Sequence, residues 1–418
     1  MASRPTTASA PSAPNYTVPF IIVTGLFLIF GFLTNLNNNL APKLEDIFHL
    51  DHARSNLVAT AWFFAYLVFS VPAAKVIEAV GYKRTMVISL FVMVVGALLF
   101  VPAAGMISFP LFLTASFVLA TGVTGLQTSA NPYVSILGPE SSAPARLTLA
   151  QAFNSLGTTL APLVAGAFIL TSSTKNMDQA AVAQTVRGPY LAIAIALLLL
   201  GFAVMMLNLP TVNLTREFRP AQGGISTLER SIWAHKHTVL AMVGIFLYVG
   251  LEVSLFANAI RFFESQGVND AHQAAVLASF YPLAMMIGRF AGTVVMKYVK
   301  AEKLLTVLGF LGVALLVLCM FSTGQIAIWC LILCGLANSI MYPTIFALGI
   351  AELGPLTSKG SGVITLGCVG GAVMPPLFGL VADWQHSYQY AFLLPIAGYL
   401  FMIYYGMTGY KPERDAAA

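Results

Sequence analysis

Twelve apolar runs, each about long enough to cross a bilayer, fill most of the chain and restrict its fold more than any other feature. They cover residues 18–41, 55–77, 85–104, 108–137, 147–172, 188–209, 237–262, 272–296, 303–322, 325–351, 360–382 and 388–408. Crossing the hydrocarbon core takes about 20 apolar residues. A backbone in lipid must satisfy its own hydrogen bonds, which helices do within one segment. Only 9% of the 418 residues are charged and 58% are hydrophobic, whereas a soluble domain carries roughly 25% charge. There is too little charge here to cover a water-facing surface. The expectation is an all-α membrane protein of twelve transmembrane helices.

Short polar turns separate most runs. The exception is 210–236, which holds Arg216, Arg219, Arg230 and Lys236 and divides the runs six and six. The expected organisation is a six-helix bundle over 18–209, a cytoplasmic linker over 210–236 and a second bundle over 237–410. Residues 1–17, rich in Ser, Thr, Pro and Ala, read as a disordered tail, and 411–418 as a short C-terminal tail. The first run ends in asparagines and not at a small-residue cleavage site, so it does not read as a signal peptide.

Charge placement gives a direction. With both termini inside, fifteen of the 21 Lys and Arg fall on the cytoplasmic face and five on the other, with Arg289 left inside a run. Cytoplasmic loops carry such an excess. The net charge of +5 is therefore sorted by membrane side, and nucleic acid is not implied. Cys319, Cys330, Cys334 and Cys368 all lie in apolar runs and read as packing thiols. The histidines fall between runs or at their ends, so no buried metal cluster is suggested. No cofactor is expected. No activated nucleophile, carboxylate pair or metal cluster reads as catalytic, so an enzyme is not expected.

The halves repeat one another. "GLQTSANPYVSILG" (125–138) in the fourth run parallels "GLANSIMYPTIFALG" (335–349) in the tenth, at an offset of 210 or 211. In the fifth and eleventh runs Gly157, Pro162 and Gly166 match Gly370, Pro375 and Gly379 at an offset of 213. Two pseudo-symmetric six-span halves suggest a secondary transporter with its site near the midplane between them. Runs 3, 6, 9 and 12 hold almost no amides, while runs 1, 4, 7 and 10 hold most of them. Polar groups at membrane depth must face protein or water. Runs 1, 4, 7 and 10 are thus expected to line a cavity.

The residues "NLNNNLAP", "LQTSANPYVSILGPESS", "RLTLAQAFNSLG", "YVGLEVS", "GRFAGT", "YPTIFALGIAELG" and "GGAVMPPLFGLVAD" resemble the major facilitator superfamily, and more closely its fucose:proton symporter family with the bacterial glucose/galactose transporters. The resemblance runs from about residue 20 to 405. It implies a bacterial inner-membrane protein, a monomer in the bilayer, that moves a monosaccharide by rocking two halves about a central site. It also implies a proton, or else sodium, as coupling ion. The fucose branch carries an Asp in the first span and a Glu in the fourth. Asn38 and Gln127 hold those places here. The Gln is shared with the glucose/galactose branch, but Asn38 is a departure that removes a titrating group.

A carboxamide both donates and accepts, as a sugar hydroxyl does. Gln127 and Asn131 are i,i+4; Gln151 and Asn154 are i,i+3; Asn35 and Asn38 are i,i+3, so three helices each offer a polar stripe. The resemblance places sugar contacts at Asn38, Gln127, Gln151 and Asn154. Asn35, Asn131, Glu252 and Tyr342 complete the expected set. The competing reading is that such amides hold helices together. Asn131 fits it best, because Pro132 frees a carbonyl that neighbours must satisfy, and Asn37 faces away from Asn35 and Asn39.

Two charges lie at depth. Glu252 is some 15 residues into the seventh run, roughly 22 Å from the inner face, and Arg289 about 12 Å from it, at ~1.5 Å per residue. Such a difference makes a direct pair unexpected. Glu252 is the remaining candidate for the proton carrier, and a sodium ligand, sugar acceptor or neutral structural acid are the alternatives. Arg289, with Glu78 and Arg84, is assigned to ion pairs that hold one end of the molecule shut, Glu78 pairing with Lys75 or Arg84.

Overall fold

A computed structural model describes residues 16–48, 52–168, 179–207, 209, 231–385 and 387–412. The side chains of 36–48, 52–59, 163–168 and 179–186 lie outside that description. The described chain is all-helical. Its long helices are α1 (Thr17–Phe48), α2 (His52–Val80), α3 (Tyr82–Gly105), α4 (Phe109–Ile136), α5 (Ala143–Phe168), α6 (Gln179–Met206), α7 (Lys236–Ser265), α8 (Ala271–Val295) and α9 (Ala301–Phe321). Next come α10 (Gln325–Gly349), α11 (Gly354–Trp384) and α12 (Tyr388–Gly409), each of which is interrupted. Among the described residues eleven of these are long and apolar enough to cross a membrane; α5, of which the described side chains end at Pro162, is not among them. The expected N-terminal tail ends before its boundary at 17, since Thr17 is already helical; residues 1–15, most of the linker 210–236 and the tail from 413 lie outside the described residues.

The last three helices, expected as continuous runs, are interrupted. In α10 the helix stops at Asn338 and resumes at Met341, just before Pro343. In α11 a single 3-10 turn, Gly367–Val369, separates Thr357–Leu366 from Gly370–Trp384. In α12 Phe392 interrupts the helix, which ends in one π turn, Tyr405–Gly409.

Packing follows the sequence repeat. In the first half α3 lies on α4 and α6, and α1 on α5; in the second, α11 lies on α7 and α9 on α10 and α12. The matched glycines explain two of these contacts. A β-carbon on Gly157 would overlap the Leu28 carbonyl of α1, and one on Gly370 would overlap the Phe246 carbonyl of α7. Each repeat thus uses the same glycine to let its fifth helix touch the backbone of its first, the close approach that small residues permit in membrane bundles. The four cysteines are free and buried.

The halves meet through α2 with the first part of α11, and through α5 with α8. Both contacts run toward the end that carries the turns after α2, α4, α8 and α10. At that end Lys359 of α11 pairs with Glu78 of α2 at 3.7 Å. This corrects the expected partner: Glu78 pairs across the halves and not with Lys75 or Arg84, because α11 packs directly on α2. Arg84 is exposed, with no ion pair among the described residues.

Candidate functional site

Three prolines organise the polar centre. A proline inside a helix has no N–H, so the carbonyl four residues earlier loses its donor. Pro162 of α5 frees the Thr158 carbonyl, Pro132 of α4 that of Thr128, and Pro343 of α10 that of Ser339. Each receives a side-chain donor. Asn35 Nδ2 of α1 donates to the Thr158 carbonyl at 2.5 Å. Ser361 Oγ of α11 donates to the Thr128 carbonyl at 2.6 Å. Arg289 Nε of α8 donates to the Ser339 carbonyl at 3.2 Å. A buried carbonyl left without a donor costs about 1–3 kcal/mol, so the three donors stabilise the proline-containing helices that frame the centre.

Two of those donors were expected to do other work. Asn35 was read as a sugar ligand, and its amide hydrogen is taken by backbone. Arg289 was read as one member of a gating ion pair. It is buried, and its hydrogen-bond partners among the described residues are neutral acceptors: besides Ser339, its guanidinium donates to the Gln151 carbonyl at 3.2 Å and to Ser155 Oγ, both on α5. It therefore ties the halves together by hydrogen bonds at the middle of α5. No ion pair between Arg289 and Glu252 is present among the described residues.

The amide stripes separate in the same way. Asn154 Nδ2 donates to the Phe27 carbonyl of α1 at 3.1 Å and so fastens α5 to α1. Asn131 is fully buried, and its Nδ2 donates to the Tyr342 hydroxyl at 3.0 Å. Gln151 Nε2 donates to Asn131 Oδ1 at 3.4 Å. Asn131, Gln151 and Tyr342 thus form one chain of hydrogen bonds joining α5, α4 and α10. Tyr342 also stacks on Phe346 and leaves only 8% of its surface open. Gln127 differs from all of these. It is half-buried and makes no hydrogen bond among the described residues. Glu252 is likewise half-buried and makes no ion pair among them. Asn38 lies in α1, but its side chain, like those of Asn37 and Asn39, is outside the described residues.

Sequence reasoning passed over a second cluster. Asn338, fully buried where α10 breaks, donates to Tyr281 Oη at 2.6 Å and accepts from Tyr399 Oη at 2.8 Å, while Tyr248 Oη donates to its carbonyl at 3.2 Å. Three tyrosines from α8, α12 and α7 thereby pin the broken end of α10 next to the Ser339 carbonyl that Arg289 serves, and one of them, Tyr248, stands one helical turn before Glu252. The amide was visible in "GLANS", where it stands three residues after the repeat glycine, as Thr128 does in the first half.

The Major Facilitator Superfamily profile matches residues 22–375. A glucose/galactose transporter of Brucella abortus is 41% identical over 412 residues, covering 98% of either chain. The L-fucose-proton symporter of Escherichia coli is 31% identical over 402 residues, covering 92% of each. A crystal structure of that fucose transporter in the outward conformation superimposes with a TM-score of 0.84 at 31% identity, over 94% of this chain and 98% of that one. The chain belongs to the major facilitator superfamily and to the family of these relatives.

Proposed function

We propose that this member of the major facilitator superfamily carries a hexose of the glucose, galactose, fucose or mannose type across the bacterial inner membrane. The halves over 18–209 and 237–410 would rock about the central site by alternating access, with a proton as coupling ion. Both termini, the linker over 210–236 and the tied end would face the cytoplasm, so the described state would open outward. The protein would work as a monomer in the bilayer. The transport activities named for the relatives support the substrate class.

The observation that carries the reading is the state of Gln127. Neighbouring amides are engaged with protein, whereas Gln127 keeps an accessible carboxamide one turn from the Asn131–Tyr342 bond between the halves. An amide at membrane depth with no protein partner is costly unless water or a ligand serves it. A sugar hydroxyl fits both its donor and its acceptor. Glu252 would carry the proton, since it is half-buried and without an ion pair among the described residues.

Uptake of radiolabelled glucose, galactose and fucose into vesicles tests this, with a pH gradient or a sodium gradient imposed. Accumulation driven by the pH gradient is expected. Accumulation with sodium alone would reassign the ion. Equilibration indifferent to both would favour an uncoupled uniporter, a second reading supported by Asn38 standing in the place of the family's first-span carboxylate. Binding without movement would leave a sensor of the same fold.

A further inference from the structure

We propose that Ser361 is a latch between the two halves, and that the acceptor it closes on exists because of Pro132. The donors to the other two freed carbonyls come from their own halves: Asn35 serves Thr158 within the first, and Arg289 serves Ser339 within the second. Those bonds persist whichever end of the molecule opens. Ser361 belongs to α11 of the second half and serves Thr128 of α4 in the first. When the halves part at this end, the hydroxyl leaves and the Thr128 carbonyl has no helical donor to return to, because residue 132 is proline.

Local packing is shaped for this contact. Both Ser361 and Thr128 are completely buried. The next residue, Gly362, lies against the Ala74 side chain and the Ser70 carbonyl of α2, where any β-carbon would collide. Glycine there lets α11 lie close enough for Ser361 to reach α4. The Lys359–Glu78 pair near the same place is 50% and 36% exposed, and exposed pairs contribute little. The buried bond, more than the ion pair, distinguishes the closed end from the open one. It also fits a transporter's need for two states of similar energy, since a single neutral hydrogen bond is strong enough to bias the halves and weak enough to release.

The latch rests on the alternating-access reading, but its test needs neither sugar nor gradient. Met206 and Tyr298 are highly exposed, lie on opposite halves at the closed end and have no part in the latch. With spin labels on Met206→Cys and Tyr298→Cys in the purified full-length protein, the distance distribution reports closed and open populations. Ser361→Ala should raise the open-to-closed ratio about tenfold, equivalent to about 1.4 kcal/mol. In a Pro132→Ala background residue 132 regains its N–H and takes the Thr128 carbonyl itself. Adding Ser361→Ala there should change the ratio less than about twofold, within ordinary additivity error. Equal shifts in the two backgrounds, or no shift in the first, would overturn the latch. Failure of uptake with these distances behaving as expected would count against the transport reading alone.

Discussion

Asn131 and Tyr342 are joined by a 3.0 Å hydrogen bond and stand 211 residues apart, the same interval that separates Pro132 from Pro343. They are the same position in the two halves of a duplicated chain. Two equivalent residues can touch each other only beside the pseudo-symmetry axis that relates the halves. The bond therefore marks the centre of the molecule, where a transporter built from repeats places its substrate. The broken α10 helps to bring Tyr342 there, because its second segment begins at Met341.

Removing one partner of this bond leaves the other buried and unpaired. Tyr342→Phe should lower stability by about 1–3 kcal/mol, read as a fall in the melting temperature of the purified protein. Asn131→Ala should cost a similar amount, and the double variant much less than the sum, since the pair acts as one unit. Additive losses would show that the two side chains are held by different neighbours.

Gln127 and Asn154 look interchangeable in sequence but differ in their partners. Gln127→Ala removes an accessible amide and no protein hydrogen bond among the described residues, so it should weaken sugar binding by tenfold or more, about 1.4 kcal/mol, and leave the melting temperature of the sugar-free protein nearly unchanged. Asn154→Ala removes the donor to the Phe27 carbonyl and should lower the melting temperature first. A thermal-shift series with and without glucose, galactose and fucose separates the effects. If Gln127→Ala melts early and binds sugar normally, the amide is structural.

The helices were legible because hydrocarbon thickness dictates their length, and the duplication because Gly157 and Gly370 must recur where α5 and α11 touch α1 and α7. The prolines were legible too. What could not be read was which side chain serves each freed carbonyl. Asn35 and Gln127 have the same chemistry; one faces the carbonyl opened by Pro162 and the other faces accessible space, a difference set by helix rotation. Ser361 gave no signal, being one small residue in a Gly- and Ser-rich helix start. Glu78 was assigned to near neighbours in sequence, and its partner Lys359 lies 281 residues away in the other half.

Coupling should reside in Glu252 if it carries the proton. Glu252→Gln keeps the shape of the protonated acid and cannot release a proton. Concentrative uptake driven by a pH gradient should disappear while sugar counterflow, which needs no net proton movement, continues. Accumulation that survives in Glu252→Gln would move the proton elsewhere. Asn38→Asp is the complementary variant, because it restores the carboxylate of the fucose branch. Stronger pH-driven accumulation there would show that the position can couple transport in this chain.

A last contact closes the same end of the molecule as Ser361, by different chemistry. Glu140, in the turn after α4, accepts a hydrogen bond from the backbone N–H of Glu352, in the turn after α10, at 2.8 Å. Arg146 braces the Glu140 turn: it donates to the Pro139 carbonyl at 2.8 Å and to the Val134 carbonyl at 3.3 Å, and packs against Gly138, whose φ of +133° no bulkier residue adopts easily. The contact overhangs a cleft of about 230 Å3 between the turns, so apolar packing is thin there and the charged acceptor matters more. Both side chains are exposed, and a substitution costs no core packing. Glu140→Ala should open this end, read as faster alkylation of a cysteine introduced at Thr357, which lines the cleft. Glu352→Ala should not, because its part in the bond is a backbone N–H. Equal effects from both variants would mean that electrostatic repulsion between the two carboxylates, and not the hydrogen bond, governs the cleft.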